Sequence, residues 1–576
     1  MIIGIDPKQV VYTNQARCRD CYRCVRVCPV KAIRIEGGQA FVDKERCISC
    51  GTCVRECPQG AKTYRKDIEK AQQVLLNNKF VAVSIAPSFA GVYEEWEYFR
   101  LPAALRRLGF KHVAETAVGA YKVACATTPV IQKEDRSYIC TACPAVVNYI
   151  EKYDVKRIGD LLPVVSPMVA HAKHIKTRYG LEAKVIFIGP CVAKKMEADR
   201  REFNGLIDCV LTFDELNEWF RQGHIDLGTC EESTFDEVPA GKSRLFPVEG
   251  GALATSSLDT SLLDDRLIFV SGFEEIRDVL DAMPKFEKPC VIEPLICPHG
   301  CVNGAGMGKD GNVFDRRAKV IKYARTSKTA QPDNDKPLDL SAAFKPASFG
   351  PNIPVSEEDI RAVLEKTGKA RKEDQLNCGA CGYASCRDQA EAVVLRMADT
   401  DMCIPHMRRL AEQRSDRIIA TSPNGIVVLD QSLQILNSNP AFMKMFHAND
   451  ACIGKNISAF VDPDPFEKVV SGQMETFDDV CFHRSVDLVA RQLIYALRAE
   501  KQYVGIFINM TPGNVSARRL EKIKDETIQQ AEELYQHQIA MARNFANFLG
   551  EYTAKGEQLV QKLLEAVKEE KDPRNT

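Results

Sequence analysis

The cysteines of this chain carry its first chemical signal. Cys18, Cys21, Cys24 and Cys28, followed by Pro29, are spaced C-x2-C-x2-C-x3-C-P, and Cys47, Cys50, Cys53 and Cys57, followed by Pro58, repeat that spacing. Cys378, Cys381, Cys386 and Cys403 form a looser group, C-x2-C-x4-C-x16-C, in which Gly379 and Gly382 permit tight turns. Thiolates are soft ligands suited to iron-sulfur clusters, and four of them also suit zinc. The two complete runs with their prolines favour iron-sulfur; the third group leaves zinc open.

Four loops of the central region are a second signal. Ala86-Pro87-Ser88 follows the apolar run Phe80 to Ile85, Thr141-Ala142-Cys143-Pro144 begins a helical pattern, Gly189-Pro190-Cys191-Val192-Ala193-Lys194-Lys195 follows Val185 to Ile188, and Cys297-Pro298-His299-Gly300-Cys301 follows another strand. Loops beyond strand ends converge in the crevice of an α/β sheet. Cys143, Cys191, Cys297 and Cys301 are therefore enough for one further [4Fe-4S] cluster. Cys125, Cys209, Cys230 and Cys290 match no motif and read as packed core residues.

The positioning elements follow from hydrophobic pattern. Phe80 to Ile85, Val185 to Ile188, Cys209 to Thr212 and Leu267 to Val270 read as buried strands alternating with helices such as Phe273 to Met283, which predicts an α/β domain. Residues 326–354, rich in Pro, Ser, Ala and charge, read as a linker. Ser356 opens a helix with Asp359 three residues on. Gly425 to Leu429, Leu433 to Asn437, Leu493 to Leu497 and Tyr503 to Asn509 read as strands of a small α+β unit. After Ser516, Ala517, Leu520, Lys524, Thr527, Ala531, Leu534, Gln538, Met541, Phe545, Phe548 and Tyr552 fall on heptad spacings that suit a coiled coil, hence a homodimer, or a helix docked within its own subunit; Lys524, Thr527 and Gln538 weaken the seam.

A length of 576 residues calls for several domains. The formal charge of -1 gives no global field for nucleic acid or an acidic membrane. No apolar run approaches the roughly 20 residues that span a bilayer, and the N-terminus lacks a signal-peptide pattern, so the expectation is a cytoplasmic protein. Cytoplasmic thiols stay reduced, so 23 cysteines point to metal and not to disulfides.

Residues 1–66 resemble two-cluster bacterial ferredoxins, in which the fourth cysteine of each run ligates the other cluster. The resemblance implies one cluster on Cys18, Cys21, Cys24 and Cys57 and another on Cys47, Cys50, Cys53 and Cys28. The four central loops, in order, resemble the H-cluster domain of iron-iron hydrogenases over 67–325. That resemblance implies a cubane on Cys143, Cys191, Cys297 and Cys301. Cys301 would bridge it to a diiron subsite with carbonyl, cyanide and bridging dithiolate ligands. Lys194 would bond a cyanide, and Ala86, Pro87 and Ser88 would line the pocket. Residues 355–410 resemble a small Fe-S domain of anaerobic redox proteins, implying a fourth [4Fe-4S] cluster on Cys378, Cys381, Cys386 and Cys403. The run SPNGIVVLDQSLQILNSNPAFMKMF resembles the start of a PAS domain, placed at 411–512, with 513–576 as a helical tail. The expected fold class is thus multidomain α/β and α+β: ferredoxin-like domain, α/β H-cluster domain, small Fe-S domain, PAS domain and C-terminal helix. His447, Cys452, Cys481 and His483 read as packed or surface groups.

The chain also departs from the hydrogenase pattern. Catalytic members carry a proton-relaying cysteine where Ala142 stands, and alanine carries no proton. Methionines near the diiron site are replaced by Gly189 and Leu295. Cys140 lies close in sequence, but helical geometry is expected to point it elsewhere. The domain order resembles the sensory group of these hydrogenases. The expectation is slow reversible chemistry of hydrogen and protons whose redox state reaches the PAS segment and a signalling partner, with diiron-site maturation enzymes required. The alternatives are a catalytic hydrogenase exchanging electrons with a carrier such as ferredoxin, and an electron-transfer or scaffold protein without the diiron site.

Overall fold

The structure, a computed structural model, describes residues 8–133, 136–239, 241–256, 266–308, 311–326, 338–347 and 354–510. The chain forms two units, Met1–Met407 and Arg408–Thr576. The heptad at 517–552 lies outside the described residues.

The first unit opens with two small antiparallel sheets. β1 (Val11–Thr13) pairs with β4 (Lys62–Tyr64), and β2 (Ile33–Glu36) pairs with β3 (Gln39–Val42). Each cysteine run ends its first three ligands on a short helix, Arg23–Val27 or Thr52–Arg55.

The central region holds two parallel sheets. One has the order β6–β5–β8–β9, from β5 (Val81–Ile85), β6 (His112–Glu115), β8 (Lys184–Gly189) and β9 (Cys209–Thr212). The other has the order β10–β11–β7, from β7 (Tyr138–Ile139), β10 (Leu267–Ser271) and β11 (Val291–Leu295). β5 is buried along its whole length, as a parallel strand covered on both faces requires. The helices Ala117–Lys133, Pro144–Tyr153 and Pro167–Tyr179 join or flank these strands. Ser166 caps the last of them through Val169 N.

The segment expected as a linker is partly docked. Residues 327–337 and 348–353 lie outside the described residues. Residues 338–347 run along the central domain: Val165 N donates to Leu340 O at 2.9 Å and Ala342 N to Pro163 O at 3.0 Å. Leu338, Leu340 and Ala342 pack on one core and Phe344 on the next. Alternating apolar residues give this stretch a face to bury, which its Pro and Ser content hid.

In the same unit, Ser356 caps the helix Glu357–Lys366 through Asp359 N. The helix Cys386–Val394 packs beside it through Ile360, Leu364, Cys386 and Ala390.

The second unit contains a five-stranded antiparallel sheet of order β13–β12–β16–β15–β14, from β12 (Gly425–Leu429), β13 (Ile435–Ser438), β14 (Thr476–His483), β15 (Leu488–Leu497) and β16 (Gln502–Asn509). Asn439 fixes its first corner: Oδ1 accepts from Ile426 N and Phe442 N, while Nδ2 donates to Ile419 O and Asn424 O. His483 packs against Phe446 and Phe507 in the core. Among the described residues no helix is long and apolar enough to cross a membrane.

Candidate metal centres

The two N-terminal runs exchange their last cysteines in space. Cys18, Cys21, Cys24 and Cys57 line one cavity of about 20 Å³, and Cys28, Cys47, Cys50 and Cys53 line another of about 20 Å³. Backbone N–H groups of Ala32, Ala61 and Ser49 donate to the sulfurs of Cys28, Cys57 and Cys47 at 3.2, 3.3 and 3.3 Å. Burial, with neighbouring thiols adding, pushes Cys28 up to about 12 and Cys47 up to about 11. Thiols gathered this way ionise together only around cations, which is what an iron cluster supplies.

The third group also gathers. Lys369, buried, faces Cys403, Cys386 and Cys381; burial opposes its charge, but the bond to Cys403 and the attraction of the three cysteines together outweigh that and its pKa rises. Tyr383 lies within range of both Cys381 and Cys28. Gly382, at φ +95°, sits so close to the first run that a Cβ would meet Val25 at 2.9 Å. Lys31 Nζ donates to Gly382 O at 2.8 Å. On the other flank, a Cβ on Gly51 (φ +77°) would meet Ala305 at 2.6 Å and Val192 at 2.8 Å. The Cys28/Cys47/Cys50/Cys53 site is therefore packed between the third group and the central loops.

In the central domain the expected loops converge at the carboxyl ends of β5, β7, β8 and β11. Cys143 is the N-cap residue of the helix Pro144–Tyr153, where the helix dipole favours a thiolate, and its sulfur accepts backbone N–H bonds. Burial, and then Cys143, push Cys191 up to about 12. Burial raises Cys297 and Cys301 as well, with the other thiols of the set adding. Gly300 turns the last loop at φ +87°, where a Cβ would meet Pro247 O at 2.6 Å.

Beside these thiols lies a cavity of about 80 Å³. Ala86, Pro87, Ser88, Ala142, Lys194 and Cys301 all line it. Ser88 Oγ is fully buried and has no hydrogen-bond partner among the described residues. Lys194 Nζ donates to Glu197 Oε2 at 2.7 Å and Ala142 O at 3.2 Å, which uses two of its three protons. A pocket next to a cluster thiol, with one orphaned hydroxyl and one remaining ammonium donor, fits a ligand with several acceptor atoms. The residues present thus fit a cubane on the four cysteines and a diiron subsite beyond Cys301.

Several features escaped the sequence reading. Met168 lines the cavity from a different helix, and Phe187 fills the space beside Gly189, where a Cβ would meet its ring at 2.6 Å. Cys140 is not helical: it follows β7 and lines a cavity of about 20 Å³ behind Ala142, together with Thr127 and Ser256. Cys125 is exposed and not a core residue, whereas Cys209, Cys230 and Cys290 are buried. Glu293, on β11, is buried and accepts from Leu253 N at 2.9 Å; burial pushes it up to about 7. A glutamate inside an apolar strand carries that signal in sequence. By contrast the next lysine, Lys195, serves structure: it is fully buried on Asp67 (2.7 Å), Glu215 (3.0 Å) and Val210 O (2.7 Å).

Comparison with known proteins agrees with this partition. Residues 79–305 match the family described as iron only hydrogenase large subunit, C-terminal domain, residues 10–74 a 4Fe-4S dicluster domain, and residues 374–405 an Fe-S cluster family. The NADP-reducing hydrogenase subunit HndD of Solidesulfovibrio fructosivorans is 26% identical over 400 residues, covering 56% of this chain and 61% of that protein. The periplasmic [Fe] hydrogenase large subunit of Nitratidesulfovibrio vulgaris is 26% identical over 377 residues, 52% of this chain and 87% of that protein. The cytosolic Fe-S cluster assembly factor oxy-4 of Caenorhabditis elegans is 26% identical over 270 residues, 38% of this chain and 59% of that protein. The chain thus spans about three fifths of the length of HndD and of oxy-4. Among solved structures, a variant of [FeFe]-hydrogenase HydA1 from Chlamydomonas reinhardtii aligns at 19% identity and TM-score 0.38, covering 49% of this chain and 99% of its own. The PAS domain of an HTR-like protein from Haloarcula marismortui aligns at 18% identity and TM-score 0.16, covering 18% of this chain and 99% of its own.

Proposed function

We propose that this chain is a sensory iron-iron hydrogenase of low turnover. The observation that carries the reading is the cavity beside Cys301, with Ser88 Oγ orphaned in its wall and the Lys194 ammonium held at its edge. A diiron subsite bound there would supply the heterolytic cleavage of hydrogen. The chain's own residues bind and orient it. Cys301 tethers it, Lys194 offers its remaining proton as a donor, Ser88 offers a hydroxyl, and Ala86, Pro87 and Phe187 exclude water. Ala142 supplies no proton carrier, which sets the turnover low. Electrons pass through the N-terminal and small-domain clusters, four [4Fe-4S] clusters in all with the cubane, and exchange with a carrier such as ferredoxin. The five-stranded sheet of the second unit has the strand order of a PAS domain. It reports redox state to a downstream partner in the cytoplasm.

The test is infrared spectroscopy of full-length protein made with diiron-site maturation enzymes. Bands from bound carbonyl and cyanide are expected, and their loss in Cys301→Ala. A loaded preparation without those bands refutes the proposal. It would favour a second reading, an iron-sulfur scaffold without the diiron site, which draws on the 26% identity over 270 residues to the assembly factor oxy-4.

A further inference from the structure

A chain of proton-carrying groups that does not include Ala142 leaves the same cavity at Thr116. Thr116 lines the cavity, and its Oγ1 lies 2.7 Å from Ser84 Oγ. Ser84 Oγ lies 2.8 Å from His171 Nδ1. The far nitrogen, His171 Nε2, stands 3.5 Å from Glu237 Oε2, which is also 3.2 Å from His174 Nε2. Glu237 Oε1 is 3.1 Å from His112 Nε2 and 3.7 Å from the Arg178 guanidinium. His112 Nδ1 then meets the Tyr179 hydroxyl at 3.2 Å and Asp236 Oδ2 at 3.7 Å. Ser84, His171, His174, His112 and Glu237 are all buried, while the Asp236 carboxylate is one-third exposed and Tyr179 reaches the surface.

A purely structural account of this cluster is weak. Three imidazoles around one buried carboxylate cost more than apolar side chains of the same volume. Burial opposes the Glu237 charge, but the His112, His171 and His174 imidazoles bonded to it hold its carboxyl well below the usual carboxylate range, so a buried charge is kept among three titratable rings. Imidazole is the side chain that takes a proton on one nitrogen while releasing one from the other.

We propose that Thr116, Ser84, His171, Glu237 and His112 form a proton wire between the Cys301 cavity and the surface at Tyr179 and Asp236. The inference rests on the hydrogen-activating reading of that cavity. A proton entering at Thr116 Oγ1 displaces the hydroxyl proton to Ser84 Oγ, and that of Ser84 moves to His171 Nδ1. The resulting imidazolium is stabilised by Glu237. Its Nε2 proton crosses the carboxylate to His112 or His174 Nε2, and His112 releases its Nδ1 proton at Tyr179 or Asp236. One proton enters and one leaves, no electron moves, and hydrogen evolution runs the wire in reverse. Burial keeps His171 below the usual histidine range, so it rests neutral and ready to accept.

The test uses full-length protein carrying its cofactor, with Ser84→Ala, Glu237→Gln and Glu237→Asp. Ser84 is a small residue outside the cavity wall, and glutamine nearly matches glutamate in shape. Carbonyl and cyanide bands should keep their positions and intensities in all three. Hydrogen oxidation should fall about a hundredfold in Ser84→Ala and Glu237→Gln, the low end of what a proton-transfer group contributes. Glu237→Asp should recover part of it. A second readout does not depend on rate: redox difference infrared spectra of 15N-histidine-labelled protein should show an imidazole protonation change that disappears in Ser84→Ala. Rates within twofold of the unaltered protein with bands intact would overturn the wire. So would an imidazole signal that persists in Ser84→Ala, or a stoichiometric divalent metal held on the histidines and lost in Glu237→Gln, because coordinated nitrogens carry no proton. Absence of carbonyl and cyanide bands from the unaltered protein would instead sink the cofactor reading, and the wire with it.

Discussion

Lys194 and Lys195 are neighbours in sequence with opposite duties, and replacing each by methionine separates them. Lys195 Nζ neutralises Asp67 and Glu215 inside the protein, tying the strand exit after β4 to β9 and its following helix. Methionine keeps the stem's volume and deletes the charge, leaving two carboxylates buried together. Removing one partner of a buried ion pair costs about 3–5 kcal/mol. The low end applies, because Glu215 retains N–H donors from Asp67 and Thr212 and Asp67 retains Arg65. For a unit of this size, about 3 kcal/mol lowers the thermal midpoint by roughly 4 °C. Calorimetry of Lys195→Met should show that loss while the cofactor's infrared bands stay in place. Lys194→Met should shift those bands, because its ammonium edges the cavity. A Lys195→Met protein within 1 kcal/mol of the parent, or one whose bands move like those of Lys194→Met, would refute this division of labour.

Two further outcomes are expected. Glu293 has its carboxyl raised from 4.5 to about 7 by burial, so the folded state holds a proton that the unfolded state releases. That stability is fully present below about pH 4.5 and is lost as pH rises toward 7, by about 3 kcal/mol; Glu293→Gln should flatten the pH dependence of urea midpoints over that window, and an unchanged slope would count against a buried neutral carboxyl. Ala142→Cys places a thiol between the cavity and the pocket holding Thr127 and Ser256. Hydrogen oxidation should rise by about tenfold, modest because no carboxylate among the described residues lines that pocket; no rise would mean that the missing cysteine does not limit turnover.

How much of this was legible depended on how local each signal is. The cluster cysteines announce themselves because their spacing is set by one cluster and one turn, within a few residues. β5, β8 and β9 were readable as apolar runs, and Ser356 as a helix opener. β7, which carries the Cys143 loop, has two residues and presents no strand pattern, and β11, expected before Cys297, could be given no bounds because Glu293 and Pro294 interrupt its apolar run. The docked stretch at 338–347 looked like linker by composition, yet Leu338, Leu340, Ala342 and Phe344 alternate as a buried edge does. What sequence could not show was anything assembled from distant segments. His112, His171 and Glu237 come from a strand, a helix and a loop, and each alone is an ordinary buried or surface group.

The replacement of Gly189 follows the same logic at shorter range. Gly189 stands where the resemblance implies a methionine. The Phe187 ring occupies that space, and Met168 enters from the helix Pro167–Tyr179, so the wall is rebuilt with apolar atoms and not opened. Gly51 and Gly382 let the neighbouring segments pack closely against the middle cysteine site. What has changed is the supply of protons: one side of the cavity ends at Ala142, while the other leads through buried hydroxyls and imidazoles. A site with close-packed electron contacts and a long, histidine-dependent proton path is limited by the proton. Its turnover should therefore show a larger solvent isotope effect in Glu237→Asp than in the parent, and an equal effect in the two would place the limiting step elsewhere.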